Sequence, residues 1–121
     1  MATTRILIVD DIPQVREDLR TLLPLAGEIE VVGAAINGLD AVRQAESLRP
    51  DVVLMDLEMP VMDGNEATRQ IKTLGLDCRI VALTVHDDES SRQKAVQAGV
   101  DDFVIKGAPV EILVQAITKK E

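Results

Sequence analysis

Five short apolar runs alternate with five helical patterns along the 121 residues of the chain. Each run is unbroken rather than alternating with polar residues, which is typical of strands covered on both faces. The predicted strands are residues 6–9, 31–35, 52–55, 80–83 and 103–105. Strict alternation with short links predicts a parallel sheet with right-handed crossovers. Five such strands suit a doubly wound α/β fold with strand order 2-1-3-4-5.

Apolar side chains at helical spacing mark the segments between these strands. The first helix carries the stripe Val15, Leu19, Leu22 and Leu23. The later helices are marked by Leu39, Val42 and Ala45, by Ala67, Ile71 and Leu74, by Ala95, Val96 and Ala98, and by Val110, Leu113, Val114 and Ile117. We expect Pro24 to stop the first helix, Asn37 to cap the second and Gly99 to end the fourth.

The composition predicts one globular domain over residues 1–121, with no second domain in this chain. Asp and Glu outnumber Lys and Arg by 21 to 13, and the net charge of −8 repels nucleic acid. No apolar run approaches the roughly 20 residues that span a bilayer, and the first residues show no cleavable signal pattern. We therefore expect a cytoplasmic protein that binds neither nucleic acid nor membrane by itself.

Chemically active side chains follow four of the five predicted strands. Asp10 and Asp11 follow the first, Asp56 the third, Thr84 the fourth and Lys106 the fifth. Because the carboxyl ends of parallel strands share one edge, these side chains are expected to converge. Three clustered carboxylates need a cation to offset their repulsion, and oxygen ligands suit Mg²⁺ or Mn²⁺. Carboxylate, metal, hydroxyl and ammonium together predict a site that holds a phosphoryl group.

Each of these residues has a plainer interpretation when it is taken alone. Asp10 and Asp11 could cap the first helix, and Asp56 could begin the turn that follows it. Thr84 could bond to backbone at a strand end, and Lys106 could be a solvated lysine. These interpretations do not explain why all the residues lie at strand ends, so the phosphoryl site is the preferred hypothesis.

The segments around these residues resemble the receiver domains of response regulators in two-component signalling, from about residue 6 to residue 117. The resemblance lies in residues 6–11, 53–64, 83–84 and 103–106. Residues 64–68, 84–89 and 106–109 are similar, more particularly, to receivers of NarL/FixJ-type (LuxR-type helix-turn-helix) transcription factors. The flavodoxin-like (βα)5 fold of that family agrees with the strand order predicted above.

The resemblance implies how the acidic residues work. Asp56 would accept a phosphoryl group from a phosphohistidine on a sensor histidine kinase and become an aspartyl phosphate. Asp11 and Asp56 would ligate Mg²⁺ together with the backbone carbonyl of Glu58. Asp10 would contribute to the metal site through a metal-bound water or by orienting its neighbour.

The resemblance also implies roles for residues from the last two strands. Lys106 would pair with the phosphoryl group, while Thr84 would shift toward it. Phe103 occupies the position of the family's switch aromatic and would turn inward as Thr84 moves; a plain core aromatic is the alternative. Three residues that flank the pocket resemble modulators of aspartyl-phosphate lifetime or access: Glu58, Val85 and His86.

The function implied is a phosphorylation-switched signalling domain that catalyses only its own phosphorylation and dephosphorylation. Its output surface would be the fourth helix, fifth strand and fifth helix, which would act on a helix-turn-helix output domain or a downstream protein and thereby regulate transcription. A phosphorylation-dependent homodimer is compatible with the sequence. Gly107 follows Lys106 where many receivers have proline, so the sequence leaves open whether this peptide bond is cis.

Two other functions compete with this prediction. A haloacid-dehalogenase-like phosphohydrolase also uses an aspartate nucleophile and Mg²⁺, but it would need an aspartate two positions after Asp56, where this chain has Glu58. A receiver fold that acts as an interaction module without phosphorylation would usually lack one of the acids, the threonine or the lysine. This chain has them all, which favours the phosphorylation switch.

Overall fold

The computed structural model describes residues 3–119 and confirms the predicted alternation of strands and helices. The strands are β1 (Thr4–Val9), β2 (Ile29–Ala35), β3 (Val52–Asp56), β4 (Arg79–Thr84) and β5 (Asp102–Ile105). The helices are α1 (Pro13–Ala26), α2 (Gly38–Leu48), α3 (Gly64–Thr73), α4 (Glu89–Ala98) and α5 (Val110–Thr118). The sheet has the predicted order β2-β1-β3-β4-β5, and every neighbouring pair is parallel. Among residues 3–119, none of the helices is long and apolar enough to cross a membrane.

Helices cover both faces of the sheet and divide the core into two layers. Val53 and Ile80 face the layer formed with α2, α3 and α4. Leu54 and Val81 face the layer formed with α1 and α5. Successive strand residues point to opposite faces, so neighbours in sequence are buried in different layers. This two-sided burial explains why the strands are unbroken apolar runs in the sequence.

Helix α1 continues through Pro24, so the prediction that this proline ends the helix is wrong. Proline lacks the N–H that would donate to the carbonyl of Arg20, which weakens a helix most in its interior. Here only two residues of α1 follow Pro24. The preceding residue of α1, Leu23, is fully buried in the layer between the sheet and α1 and α5. Such burial contributes roughly 1.5–3 kcal/mol to the stability of the fold. The last turn is therefore held by packing, and the helix ends at Ala26.

The predicted caps of α2 and α4 are confirmed. Asn37 Oδ1 accepts a hydrogen bond from the Asp40 N–H at 2.8 Å. Gly99 ends α4 with a φ of 108°, a conformation that favours glycine. Four residues of the predicted apolar stripes lie partly or largely outside the core, with exposures of 44% for Leu22, 42% for Leu39, 40% for Leu74 and 59% for Val96.

At the amino edge of the sheet, two arginines bind the carboxyl ends of helices on opposite faces. Arg5 of β1 donates to the carbonyl oxygens of Leu48 and Arg49 at the carboxyl end of α2, at 2.9 and 2.8 Å. Arg79 of β4 donates to the carbonyl oxygen of Ala116 in α5 at 3.0 Å. The last carbonyls of a helix have no partner within the helix, so a guanidinium satisfies them and complements the helix dipole.

Replacing Arg5 with alanine is expected to lower the free energy of unfolding by about 2 kcal/mol, because two hydrogen bonds from a charged group are lost. Arg43→Ala removes the same charge from an exposed position of α2 and is expected to change stability by less than about 0.5 kcal/mol. Urea unfolding followed by circular dichroism measures both variants. Equal stabilities would contradict the role given to Arg5.

Candidate functional site

The carboxyl ends of β1 and β3 bring three carboxylates together, as the sequence predicts. Oxygen atoms of Asp10, Asp11 and Asp56 lie within 4.8 Å of one another. The side-by-side placement follows from the register, in which Val9 of β1 pairs with Met55 of β3. Asp10 and Asp56 are each only 1% exposed, whereas Asp11 is more open to solvent.

Each of the two buried carboxylates has one oxygen that the protein binds and one that it does not. Asp10 Oδ1 accepts from the Ile12 N–H at 2.9 Å. Asp56 Oδ1 accepts from the Glu58 N–H and from Lys106 Nζ, both at 3.0 Å. Within the described part of the chain, Oδ2 of each carboxylate is buried without a hydrogen-bond partner. Such an oxygen is costly to bury, and a cation shared by the acids fits both atoms.

The chemistry of the donor set agrees with that fit. The cluster offers carboxylate oxygens only, which suit a hard divalent cation such as Mg²⁺. Burial raises the pKa of the Asp56 carboxyl, and the charge of Asp10 adds to this effect. Hydrogen bonds from Lys106 and from the Glu58 N–H oppose the increase in pKa without cancelling it. A bound cation would favour the charged form of Asp56.

Lys106 brings an ammonium group from the end of β5 to the acids. Burial alone would lower the pKa of Lys106, but the hydrogen bond and charge of Asp56 outweigh it, helped by the charges of Asp10 and Glu58. The pKa of Lys106 is therefore raised, and the group stays positively charged at neutral pH. The plainer interpretation of Lys106 as a solvated lysine is wrong, because its ammonium is bound to Asp56.

Of the plainer interpretations of the aspartates, the one for Asp10 is wrong and the one for Asp56 is incomplete. Asp10 does not cap α1, because Ile12 occupies the N-cap position. Asp56 does begin the turn that follows it, since its Oδ1 accepts the Glu58 N–H, but this uses only one of its oxygens. The carbonyl oxygen of Asp10 accepts from Arg16 Nη1 at 2.7 Å, which ties the acidic loop to α1.

Thr84 is 2% exposed at the end of β4, and its hydroxyl is bound to Glu58. The hydroxyl donates to Glu58 Oε2 at 3.0 Å and accepts from the His86 N–H at 3.0 Å. Glu58 Oε1 accepts from the Val85 N–H at 3.5 Å. The sequence suggests that Glu58 flanks the pocket but does not reveal this contact, because the reach of its side chain depends on the path of the β3–α3 loop.

The remaining predicted site residues lie around this centre. Phe103 is half-buried and packs against the layer that contains α3 and α4. The Arg92 guanidinium of α4 lies 5.1 Å from the centroid of its ring, a cation–π contact that sequence reasoning missed. Val85 is 60% exposed and His86 is exposed, and both lie in the β4–α4 loop. Their predicted modulating roles stay predictions.

The turn after β5 explains why glycine follows Lys106. The Lys106–Gly107 bond is trans, as are the other peptide bonds of the described chain. Gly107 has a φ of 94°, a value that proline cannot adopt. The Lys106 N–H donates to the Thr84 carbonyl at 2.8 Å, and the Ala108 N–H donates to the Ile105 carbonyl at 3.1 Å. These bonds hold the base of the Lys106 side chain beside the end of β4.

The loop after β3 folds tightly against the same edge. The Met62 N–H donates to the Pro60 carbonyl at 2.8 Å, and Val61 between them has a φ of 72°. A β-branched residue in this conformation is strained, typically by about 1–3 kcal/mol. A Cβ on Gly64 would collide with the carbonyl oxygen of Asp56, so glycine lets the chain pass the end of β3 closely.

An open cavity of about 450 Å³ lies between α1 and α5, beside the acids. Asp10 and Lys106 form its polar end. The rest of its lining is mostly apolar and includes Ile12, Val15, Leu19, Leu22, Val104, Val110 and Leu113. The cleft offers apolar surface directly next to the charged site.

The family of the chain follows from comparison with known proteins. The sequence matches the family model of the response regulator receiver domain over residues 6–118. The chain belongs to this family. The receiver domain is 39% identical over 113 residues to the response regulator GacA of Pseudomonas viridiflava, covering 93% of this chain and 53% of that protein. It spans about half the length of the curated relatives that it matches.

Solved structures place the receiver domain among the NarL and LuxR types. The signal receiver domain of NarL from Mycobacterium tuberculosis superposes with a TM-score of 0.91 at 31% identity, covering 97% of this chain and 94% of that one. A DNA-binding response regulator of the LuxR family from Staphylococcus aureus gives a TM-score of 0.89 at 34% identity, covering 96% and 97%. The family match over residues 6–118 is to a signalling receiver domain, which argues against the phosphohydrolase alternative for this part of the chain.

The raised pKa of Asp56 predicts how stability depends on pH. Deprotonating Asp56 costs folding free energy, and this penalty is absent below the unfolded-state pKa near 3.8 and complete above the raised folded-state pKa. Asp56→Asn removes the penalty, so in a chelator the stability of the variant relative to the wild type should increase as the pH rises from the unfolded-state pKa through the folded-state pKa.

Urea unfolding at several pH values measures this difference. Glu46→Gln, at an exposed position of α2, is the control for loss of one negative charge, and its difference from the wild type should stay nearly flat. A difference for Asp56→Asn that stays constant or decreases with pH would contradict the burial penalty.

Proposed function

We propose that this receiver domain is a phosphorylation switch in which Asp56 accepts a phosphoryl group from a phosphohistidine on a sensor histidine kinase. The observation that carries this proposal is the unequal use of the two Asp56 oxygens. Oδ1 is held by Lys106 and the Glu58 N–H, whereas Oδ2 is buried with its lone pairs unused by the described residues. A carboxylate oxygen would bond to phosphorus as the P–N bond breaks, and the bonding electrons would return to the imidazole nitrogen.

The acidic cluster is the proposed Mg²⁺ site, with Mn²⁺ as an alternative ion. Asp11 and Asp56 would ligate the ion with the backbone carbonyl of Glu58, and Asp10 would act through a bound water or by orienting Asp11. The two unpartnered oxygens and the 4.8 Å limit on the oxygen separations support this assignment. When bound, Mg²⁺ would offset repulsion between the carboxylates and the phosphoryl oxygens.

The response to phosphorylation is proposed to pass from Thr84 to the surface of α4, β5 and α5. Lys106 would pair with the phosphoryl group, and the Thr84 hydroxyl would donate to one of its oxygens. Phe103 would turn inward as Thr84 moves. Its position supports this, because Phe103 of β5 pairs with Ala82, two residues before Thr84 on β4. Phosphorylation would thus select one of two loop arrangements by adding charge and acceptor oxygens.

The proposed partners follow from where the chemistry takes place. The donor phosphohistidine must reach Asp56 at the carboxyl edge, so the kinase would meet that edge, next to the apolar cleft between α1 and α5. We propose that residues 1–121 act as the receiver for a helix-turn-helix output domain or a downstream protein that controls transcription in the cytoplasm. A phosphorylation-dependent homodimer is an additional proposal. The net charge of −8 supports the absence of direct nucleic-acid binding by this chain.

Incubation with acetyl phosphate and Mg²⁺ is expected to add one phosphoryl group to the wild type, detected by intact mass. Asp56→Asn should abolish this labelling, because an amide is a poor nucleophile. Asp63→Asn is a matched control, since asparagine can replace Asp63 as the N-cap of α3. Labelling of Asp56→Asn at the wild-type level would overturn the assignment of the phosphoacceptor.

Mg²⁺ is expected to raise the midpoint of thermal unfolding, because an ion that binds the folded state stabilises it by about 2.7 kcal/mol at 100 times its Kd. Asp11→Asn should lose most of this increase. Asp18→Asn, at an exposed position of α1, should keep it. Differential scanning calorimetry with and without Mg²⁺ measures both variants, and an equal increase in both would contradict the metal site.

A further inference from the structure

The hydrogen bond between Thr84 and Glu58 suggests a further role for the Glu58 side chain. We propose that the Glu58 carboxylate competes with the phosphoryl group for the Thr84 hydroxyl and thereby stabilises the unphosphorylated arrangement. Glu58 is then a positioning residue, because its hydrogen bond to Thr84 must be broken before Thr84 can bind the phosphoryl group. This inference rests on the proposed phosphorylation of Asp56.

The contact involves both oxygens of one carboxylate and two successive residues. Glu58 Oε2 accepts from the Thr84 hydroxyl at 3.0 Å, and Oε1 accepts from the Val85 N–H at 3.5 Å. The same glutamate donates its own N–H to Asp56 Oδ1 at 3.0 Å. Glu58 therefore connects the proposed phosphoacceptor to the beginning of the β4–α4 loop.

The competition follows from the single proton of a hydroxyl group. Thr84 can donate to only one strong acceptor at a time, and in this structure that acceptor is Glu58. One lone pair of the Thr84 hydroxyl accepts the His86 N–H, so the hydroxyl is held from both sides. Donation to a phosphoryl oxygen therefore requires Thr84 to break its bond to Glu58.

Charge prevents the Thr84 hydroxyl from binding Glu58 and a phosphoryl group at the same time. A phosphoryl group on Asp56 would add negative charge close to Glu58, whose own charge already acts on Lys106 in the same pocket. Two anions repel, so Glu58 cannot follow Thr84 toward the phosphoryl oxygens. The Thr84 hydroxyl therefore donates either to Glu58 or to the phosphoryl group. These alternatives define two states of the β4–α4 loop.

Substitution of Glu58 is practical because its side chain lies at the surface. Glu58 is exposed, whereas Thr84 is buried, so Glu58→Ala removes the acceptor without opening a cavity. Glu58→Gln is the matched variant that removes the charge but keeps a carbonyl oxygen as acceptor. Thr84→Val keeps the volume of the threonine and removes its hydroxyl.

The test is the apparent affinity for beryllium fluoride in the presence of Mg²⁺, because this tetrahedral phosphoryl mimic is not hydrolysed. Titrations followed through the backbone amide resonances of Val85 and His86 give the affinity at equilibrium. Glu58→Ala is expected to bind about fivefold more tightly than the wild type, the size of one modest hydrogen bond. Glu58→Gln is expected to lie closer to the wild type than to Glu58→Ala.

A double-mutant cycle separates the hydrogen bond from a simple charge effect. In the Thr84→Val background there is no hydroxyl to compete for, so Glu58→Ala should change the affinity by less than about twofold. A fivefold gain that persists in this background would show that charge repulsion alone is responsible and would overturn the proposal.

The remaining outcomes separate this inference from the proposed function. Binding by the wild type, with equal affinity in Glu58→Ala, would overturn the competition and leave the phosphoryl site intact. Failure of the wild type to bind the mimic would overturn the phosphoryl site and the competition together. Asp56→Asn should fail to bind in every background, which shows that the signal comes from the intended site.

Discussion

The charge of Asp56 is the constraint on which the rest of this edge of the molecule depends. A carboxylate that is 1% exposed and lies beside a second buried carboxylate is costly to keep ionised. The fold offsets part of this cost with the ammonium of Lys106 and the N–H of Glu58. The strand order makes this arrangement possible, since β3 lies between β1 and β4 and the end of β5 is one strand further away. The cost that remains is a reason for the site to attract cations.

The backbone around Asp56 adopts conformations that few residues tolerate. Val61 has a positive φ despite its branched side chain, and Gly107 has a φ that proline cannot reach. Gly64 has no room for a side chain against the Asp56 carbonyl. Such local costs persist only where surrounding packing fixes the chain. Here the packing is supplied by the two apolar layers beneath the loops.

The parts of this structure that could be predicted from the sequence are those fixed by burial on both faces of the sheet. Strand positions, strand order and the convergence of Asp10, Asp56 and Lys106 follow from unbroken apolar runs and parallel pairing. The end of α1 could not be predicted, because the cost of Pro24 depends on how few residues follow it and on the burial of Leu23. The order of strands and helices along the chain predicts neither the number of residues after Pro24 nor the burial of Leu23.

Side-chain contacts between loops were equally inaccessible from the sequence. The bond from Thr84 to Glu58 joins residues 26 positions apart, and its existence depends on the path of two loops. The contact of Arg92 with Phe103 depends on how α4 lies over β5. A glutamate two positions after Asp56 is visible in the sequence, but the partner of its carboxylate is not. The residue types of the site were therefore predictable, whereas its hydrogen-bonding state was not.

The hydrogen bond from Arg79 to α5 fixes how far the carboxyl end of that helix lies from Asp56. Arg79 lies at the start of β4 and Thr84 at its end, and a strand of this length spans about 20 Å. The carboxyl end of α5 therefore lies near the amino edge of the sheet, whereas Asp56 lies at the carboxyl edge. A segment that continues directly from α5 would begin at the opposite edge of the sheet from Asp56. An influence carried between these two edges through the domain would take the form of a shift in how the packed strands and helices fit together.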